Sequence, residues 1–345
     1  MAEQTRIKCV IWDLDNTLWE GTLTEGGGNA LRPGALETIR ELDRRGIVQS
    51  IASKNDFDTA AARLKQFDLF DYFLCPQISW DPKSEGINKT LTLLNIKPEA
   101  TAFVDDSAFE REEVLFALPK IHPYSEENLW ALTDLPEFQV RFITEDAARR
   151  RLMYRADLDR QTAQESFSGS NEDFLATLGM KLSISPVTEY DLQRVEELTV
   201  RTHQLNSTGY TYSYEELVEL TRSPDHIFCI CGLQDRYGDS GKVGLLLLEK
   251  EADSLRLKLL IVSCRVMSRG IGTALLCYAT QLAEKLGKKL LAEFFETDYN
   301  RIMYITYKLA GFEDIEEHGN EFLLQYQGEE PLKFPSYLEV TCETD

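Results

Sequence analysis

Asp13 and Asp15 stand one residue apart at the end of an apolar run, in VIWDLDNTLWE at 10–20. Two like charges at the end of a buried strand are costly unless they lie in a solvated turn or a ligand neutralises them. Further reactive side chains follow in order: Thr17, then Ser53 in SIASKND, Lys83 in ISWDPKSEG, and Asp105 with Asp106 in TAFVDDS. These types suit phosphoryl transfer. Phosphate-monoester hydrolysis is so slow that catalysis must accelerate it by up to ~10²¹-fold. A carboxylate nucleophile divides the reaction into two steps through an aspartyl phosphate. A hard cation such as Mg²⁺, held by oxygen ligands, neutralises the phosphoryl oxygens. A second carboxylate protonates the leaving oxygen and later activates water. Ser and Lys hold the transferring group. The Asp-x-Asp pair alone reads equally well as a turn; the ordered set points to one site.

For these residues to meet, the chain must carry them to one edge. The first ~135 residues alternate strand and helix patterns. KCVIW at 8–12, VQSIAS at 48–53 and TAFVDD at 101–106 read as buried strands. RPGALETIRELDRRG at 32–46, DTAAARLKQF at 58–67 and FEREEVLFAL at 109–118 read as helices. Such alternation predicts an α/β fold, a Rossmannoid parallel sheet with helices on both faces. Ligands of such sheets sit at the carboxyl ends of the strands. Each reactive residue is predicted at such an end or in a loop beside it.

Residues 136–180 carry a charged helical pattern ending in SGSN and read as a helical linker. A second α/β pattern runs from 181 to 330, and 331–345 reads as a tail. KLSISPV is a strand, YDLQRVEELTVRTHQL a helix, and IFCICGL and VGLLLLEK flank the turn-rich DRYGDSG as a hairpin. LRLKLLIVS is a long strand, GIGTALLCYATQLAEKLG a helix, and strand, helix and strand follow.

The first half resembles the haloacid dehalogenase superfamily of phosphotransferases. That resemblance implies Asp13 as nucleophile and Asp15 as acid/base. It places Mg²⁺ on Asp13, the Asp15 carbonyl and Asp105, with Asp106 supporting the metal or Lys83. Thr17, Ser53 and Lys83 would orient the phosphate. Thr17 to Ser53 leaves 35 intervening residues and Ser53 to Lys83 leaves 29. Those lengths hold a helix or a helix and strand, without the cap domain that larger family members insert. An open site suits a substrate carried on a protein, or a second domain acting as lid.

The later half resembles the GCN5-related N-acetyltransferases, in which a strand, a Q/R-x-x-G-x-G/A loop and a helix bind phosphate at the helix N-terminus. Gly270 and Gly272 match, and Met267 departs from the Q/R position. YKLAGF at 307–312 resembles a later element of that family. Together, WDLDNTLWEGTL, SIASKND, ISWDPKSEGI, FVDDSAFEREEV, RTHQLNSTGYTYSYEEL and SCRVMSRG resemble the FkbH-type glyceryl transferases. That resemblance implies removal of both phosphates of 1,3-bisphosphoglycerate. The glyceryl unit then passes to the phosphopantetheine thiol of an acyl carrier protein for polyketide assembly, through an enzyme thioester. The alternative is a phosphatase fused to an acetyl-CoA-dependent N-acetyltransferase.

Of seven cysteines, Cys264 stands at the end of the central strand of the second half, ahead of Arg265, Arg269 and a helix N-terminus. Those charges favour a thiolate, which makes Cys264 the candidate acyl carrier, against a structural thiol. Cys75 is a minor candidate beside the phosphatase edge. His203, Asn206 and Thr208 are candidate acyl or pantetheine contacts, with a structural His and a turn cap as the competing readings. Arg149, Arg150 and Arg151 read as a carrier-docking patch or a solvated helix face.

Composition narrows the partners. A formal net charge of −21 argues against nucleic acid and against anionic membranes. Scattered cysteines without metal spacing, and no apolar leader in MAEQTRIK, are expected of a cytoplasmic protein with reduced thiols.

Overall fold

The computed structural model describes residues 6–343. Its contacts divide the chain into two compact units between Asp159 and Arg160. Both are α/β.

In the first unit, β1 (Cys9–Trp12), β2 (Val48–Ser53), β3 (Gln77–Ile78), β4 (Thr101–Val104) and β5 (His122–Tyr124) form one parallel sheet in the order β3-β2-β1-β4-β5. β1 is central, and all four of its side chains are buried. Successive side chains point to opposite faces, so each face receives its own helices. Val10 and Trp12 join Ile39 and Leu42 of α1 (Ala35–Arg44), Ala60 and Leu64 of α2 (Phe57–Gln66), and Leu129 and Leu132 of a short α5 (Leu129–Leu132). Cys9 and Ile11 join Ile87 and Leu91 of α3 (Lys83–Leu94) and Val114 of α4 (Ala108–Ala117). Because every strand runs the same way, the loops after β1, β2, β3 and β4 open on one edge. Caps fix where the helices begin there: Asp56 accepts from Thr59 N (3.0 Å) ahead of α2, and Ser107 from Glu110 N (3.3 Å) ahead of α4.

Residues 136–180 hold α6 (Glu145–Ala148), α7 (Arg150–Glu165) and α8 (Asn171–Thr177). Of the basic run, Arg149 is exposed, while the other two residues turn inward. Arg150 is buried and donates to Gly46 O (3.3 Å), and Arg151 pairs with Asp43 (2.9 Å) and lies over the Tyr72 ring.

The second unit is built on an eight-stranded sheet in the order β11-β12-β10-β9-β8-β7-β6-β13. Its strands are β6 (Met180–Pro186), β7 (His226–Asp235), β8 (Gly238–Lys250), β9 (Ser254–Val262), β10 (Lys289–Phe295), β11 (Phe312–His318), β12 (Glu321–Tyr326) and β13 (Leu338–Cys342). β9 lies parallel to β10, and β6 to β13; the other neighbours are antiparallel. Residues 338–342, set apart above as tail, thus close one edge of the sheet. One face packs α8, α11 (Ile271–Leu286) and α12 (Arg301–Leu309), and the other α9 (Leu192–Arg201) and α10 (Tyr214–Arg222). Among the described residues, no helix is long and apolar enough to cross a membrane.

Candidate functional site

The edge where the parallel strands end brings the predicted residues together. Asp13 follows β1 and is held in line by its N–H on Val104 O (2.9 Å). Asp105 follows β4, and its Oδ1 accepts from Ser107 N (2.8 Å). Lys83, the first residue of α3, reaches Asp13 Oδ1 at 2.8 Å and Asp105 Oδ2 at 2.7 Å, and also pairs with Glu110. Glu110 in turn pairs with Lys54 (2.8 Å). Asp13, Lys83 and Asp105 are all buried.

Two placements refine the expected roles. Thr17 is fully buried: its hydroxyl lies 3.3 Å from Asp13 Oδ2 and 3.2 Å from Asp106 Oδ1, and accepts from Asp106 N (3.0 Å). Its hydroxyl links the two carboxylates. The Asp15 carboxylate accepts from Trp19 Nε1 (2.7 Å) and Leu23 N (3.2 Å) at Oδ1 and from Asn55 Nδ2 (3.1 Å) at Oδ2. Asn55 also donates to Ser53 Oγ (3.2 Å), so the loop after β2 and the loop after β1 are stitched together. Asn55, Lys54 and Glu110 escaped the sequence reading. The first two directly follow Ser53, and Glu110 completes the S-x-x-E spacing of a helix start. Cys75 precedes β3, at the amino end of a parallel strand and away from this edge; burial pushes its thiol up to about 11.

Electrostatics show what the cluster lacks. Burial pushes the carboxyl of Asp13 well above its ordinary range, against the pull of Lys83. Burial first, and then the neighbouring Asp13, push Asp105 up to about 7. Lys83 is held above its ordinary range by the two carboxylates, which outweigh its own desolvation. Asp13, Asp105 and Asp106 each offer an oxygen within 4.8 Å of the others. Five carboxylates (Asp13, Asp15, Asp105, Asp106 and Glu110) face two ammonium groups, Lys54 and Lys83. With all ionised, the surplus is negative, and a phosphate dianion approaches only if a cation joins them. Hard, closely spaced oxygen donors fit Mg²⁺.

In the second unit the expected residues lie on the turn after β9, the start of α11 and the loop after α9. Cys264 begins a short 3₁₀ turn after β9 and is half-buried. The guanidinium of Arg265 donates to Ser240 O (3.1 Å); buried Arg269 donates to Arg265 O (3.3 Å) and lies 4.0 Å from Asp235, which Arg160 grips through two bonds (2.7 and 2.9 Å). Both arginines are thus held within this part of the fold. Gly270 is left-handed (φ +77°) at the cap of α11, where a Cβ would stand 2.5 Å from the Tyr337 hydroxyl; at Gly272 the nearest atom would be an ordinary 3.7 Å away. His203 is exposed in the loop after α9. Asn206 is consumed by a turn: its Oδ1 accepts from Thr208 N (3.1 Å) and Gly209 N (3.0 Å), and its Nδ2 donates to Tyr210 O (3.3 Å). Thr208 Oγ1 accepts from Tyr210 N (3.3 Å) in the same turn. Both side chains thus close a turn, as the competing reading expected. Tyr307 of α12, inside the quoted YKLAGF, went unremarked. It is fully buried beside Ser207, and burial pushes its hydroxyl up against the pull of that neighbour.

Comparison with known proteins bears on the first unit. Residues 23–110 match the family model of haloacid dehalogenase-like hydrolases. The matched stretch includes Ser53, Lys83, Asp105, Asp106 and Glu110; Asp13, Asp15 and Thr17 precede it. No curated protein sequence matches the chain. Among solved structures, the chain is similar to the N-terminal, phosphatase-domain part of a Bacteroides fragilis protein complexed with Mg. Identity is 25%, covering 45% of this chain and 40% of that one, with a TM-score of 0.33. It is also similar to the ribosomal-protein-S18-alanine N-acetyltransferase of Escherichia coli (17% identity, 43% and 97% covered, TM-score 0.33). A third is the PaiA N-acetyltransferase of Thermoplasma acidophilum in complex with coenzyme A (19% identity, 42% and 97% covered, TM-score 0.32).

Proposed function

We propose that the first unit is a divalent-cation-dependent phosphatase and the second an acyltransferase. Together they convert 1,3-bisphosphoglycerate into a glyceryl thioester on an acyl carrier protein. The observation that carries the phosphatase half is the buried cluster of Asp13, Asp105 and Asp106, with Lys83 ion-paired to the first two.

Asp13 attacks phosphorus through a carboxylate oxygen, and the P–O bond to the leaving alcohol breaks. Asp15 gives that alcohol its proton from Oδ2, which holds one hydrogen bond, from Asn55. Water, deprotonated by Asp15, then attacks the aspartyl phosphate and frees Asp13 and inorganic phosphate. Lys83 and Ser53 hold the phosphoryl oxygens, while Thr17 keeps Asp13 and Asp106 apart. Asp13, the Asp15 carbonyl, Asp105 and Asp106 would hold Mg²⁺, which supplies charge neutralisation at the phosphoryl group. The acyl phosphate of the same substrate is already activated toward a thiol. Cys264 Sγ would attack the acyl carbon, expel phosphate and pass the acyl group to the pantetheine thiol.

The test is incubation of the protein with 1,3-bisphosphoglycerate, Mg²⁺ and phosphopantetheinylated carrier protein, followed by intact mass. A glyceryl mass gain on the carrier is expected; none would remove the proposal. The N-acetyltransferase alternative rests on Gly272, which packing does not require. It predicts acetyl transfer from acetyl-CoA to an amine with no carrier present.

A further inference from the structure

Lys83 and Lys54 both stand at the carboxyl edge of the parallel sheet, but they are placed differently. The Lys83 side chain is 4% exposed, and its ammonium faces three carboxylates, Asp13, Asp105 and Glu110. The Lys54 side chain is 38% exposed, and among the described residues its ion-pair partner is Glu110. An ammonium carries three donors, so Lys54 keeps donors for a further anion. Its backbone is pinned on both sides. Ser53 O accepts from Ser79 N (3.1 Å), and the Asn55 side chain donates to Asp15 (3.1 Å) and to Ser53 Oγ (3.2 Å). The loop that holds Ser53 at the site thus also fixes where this second cation starts.

Glu110 sets how far the two cations stand apart. Its Oε1 pairs with Lys54 at 2.8 Å, and its Oε2 pairs with Lys83. A single carboxylate therefore lies between the two ammonium groups. Lys54 follows β2, Glu110 lies in the first turn of α4 after β4, and β1 runs between β2 and β4. The Lys54–Glu110 pair thus reaches across the strand that leads to Asp13. A phosphoryl group at Asp13 and Lys83 would have Lys54 one short carbon chain away.

We propose that Lys54 is a specificity-determining residue of the phosphatase unit: it binds a second phosphate three carbons from the one being hydrolysed, so that three-carbon bisphosphates are preferred to monophosphates of the same chain. This rests on the phosphatase reading above and deepens it. A bisphosphate brings a second dianion to an edge already rich in carboxylates, where like charges repel. Lys54 replaces that repulsion with a charge-assisted hydrogen bond. A hydroxyl in the same place gains far less. Glu110 holds the flexible side chain beforehand, so less freedom is lost when the substrate binds.

The test compares two esters of one three-carbon chain, propane-1,3-diol bisphosphate and 3-hydroxypropyl phosphate, as substrates of the full chain with Mg²⁺. The unsubstituted protein should favour the bisphosphate by at least ~10-fold in kcat/KM, the contribution of one hydrogen bond between charged groups. Added salt should shrink that preference, because Lys54 is partly exposed. Lys54→Gln should bring the ratio to within ~3-fold of unity, chiefly through KM for the bisphosphate. Lys54→Arg keeps the charge and should retain the preference. If Lys54→Gln slows both esters alike and leaves the ratio unchanged, Lys54 is only a structural partner of Glu110 and the proposal ends. It ends equally if the unsubstituted protein hydrolyses both esters without discrimination, which leaves the phosphatase reading intact. Hydrolysis of neither ester would remove the phosphatase reading, and this assignment with it.

Discussion

At the scale of single residues, the chemistry depends on how buried charges are matched. Among the described residues, Lys83 is the cation that touches Asp13, Asp105 and Glu110 together. Removing one partner of a buried charge set costs about 3–5 kcal/mol, because the others stay buried without it. Lys83→Ala should therefore lower stability by about that amount in denaturant titration. Mg²⁺ should restore part of the loss by taking over the carboxylates. Asp13→Ala leaves Lys83 still paired with Asp105 and Glu110. It should keep the fold and lose at least ~10³-fold in phosphate-ester hydrolysis, since no second carboxylate stands in as nucleophile. Asp105 adds a pH dependence. Its folded-state value, near 7 against an ordinary 3.8, means the native protein keeps a proton that the unfolded chain releases. Without metal, stability should fall as pH rises between about 4 and 7. Thermal unfolding in chelator across that range checks the sign, and added Mg²⁺ should flatten or reverse the slope.

At the scale of elements, local pattern and local structure agree where burial is regular. VQSIAS became β2 to the residue, and GIGTALLCYATQLAEKLG encloses α11, because each lies in a continuous apolar environment. β5 and β11 escaped notice for the opposite reason. HPY is three residues long, and FEDIEEH buries only Phe312 at a sheet edge. β13 follows a Pro-rich stretch and pairs with β6, more than 150 positions earlier, a partner no local pattern reveals. The site was legible where its residues end strands or open helices, as Asp13, Ser53, Lys83 and Asp105 do. Glu110 and Asn55 acquire their meaning only from partners on other loops. The helix that opens at Gly270 gives a further contrast. Gly270→Ala should cost about 1–3 kcal/mol, since the left-handed backbone and Tyr337 both oppose a Cβ. Gly272→Ala should leave thermal stability within about 1 kcal/mol. It should still weaken coenzyme A binding if the α11 N-terminus meets a phosphate; calorimetry beside thermal unfolding separates the two effects.

At the scale of the whole molecule, the two units carry separate cores. A carboxylate and lysine cluster stands at one edge of a five-stranded parallel sheet, and the second unit is built on an eight-stranded one. The account rests on Asp13 forming a covalent bond to phosphorus with help from a divalent cation. The most direct measurement is acid-quenched turnover of ³²P-labelled 1,3-bisphosphoglycerate with peptide mapping of the trapped label. Label on Asp13 that requires Mg²⁺ and vanishes in Asp13→Asn is the predicted result. Unimpaired turnover by Asp13→Asn, or label on another residue, would contradict it.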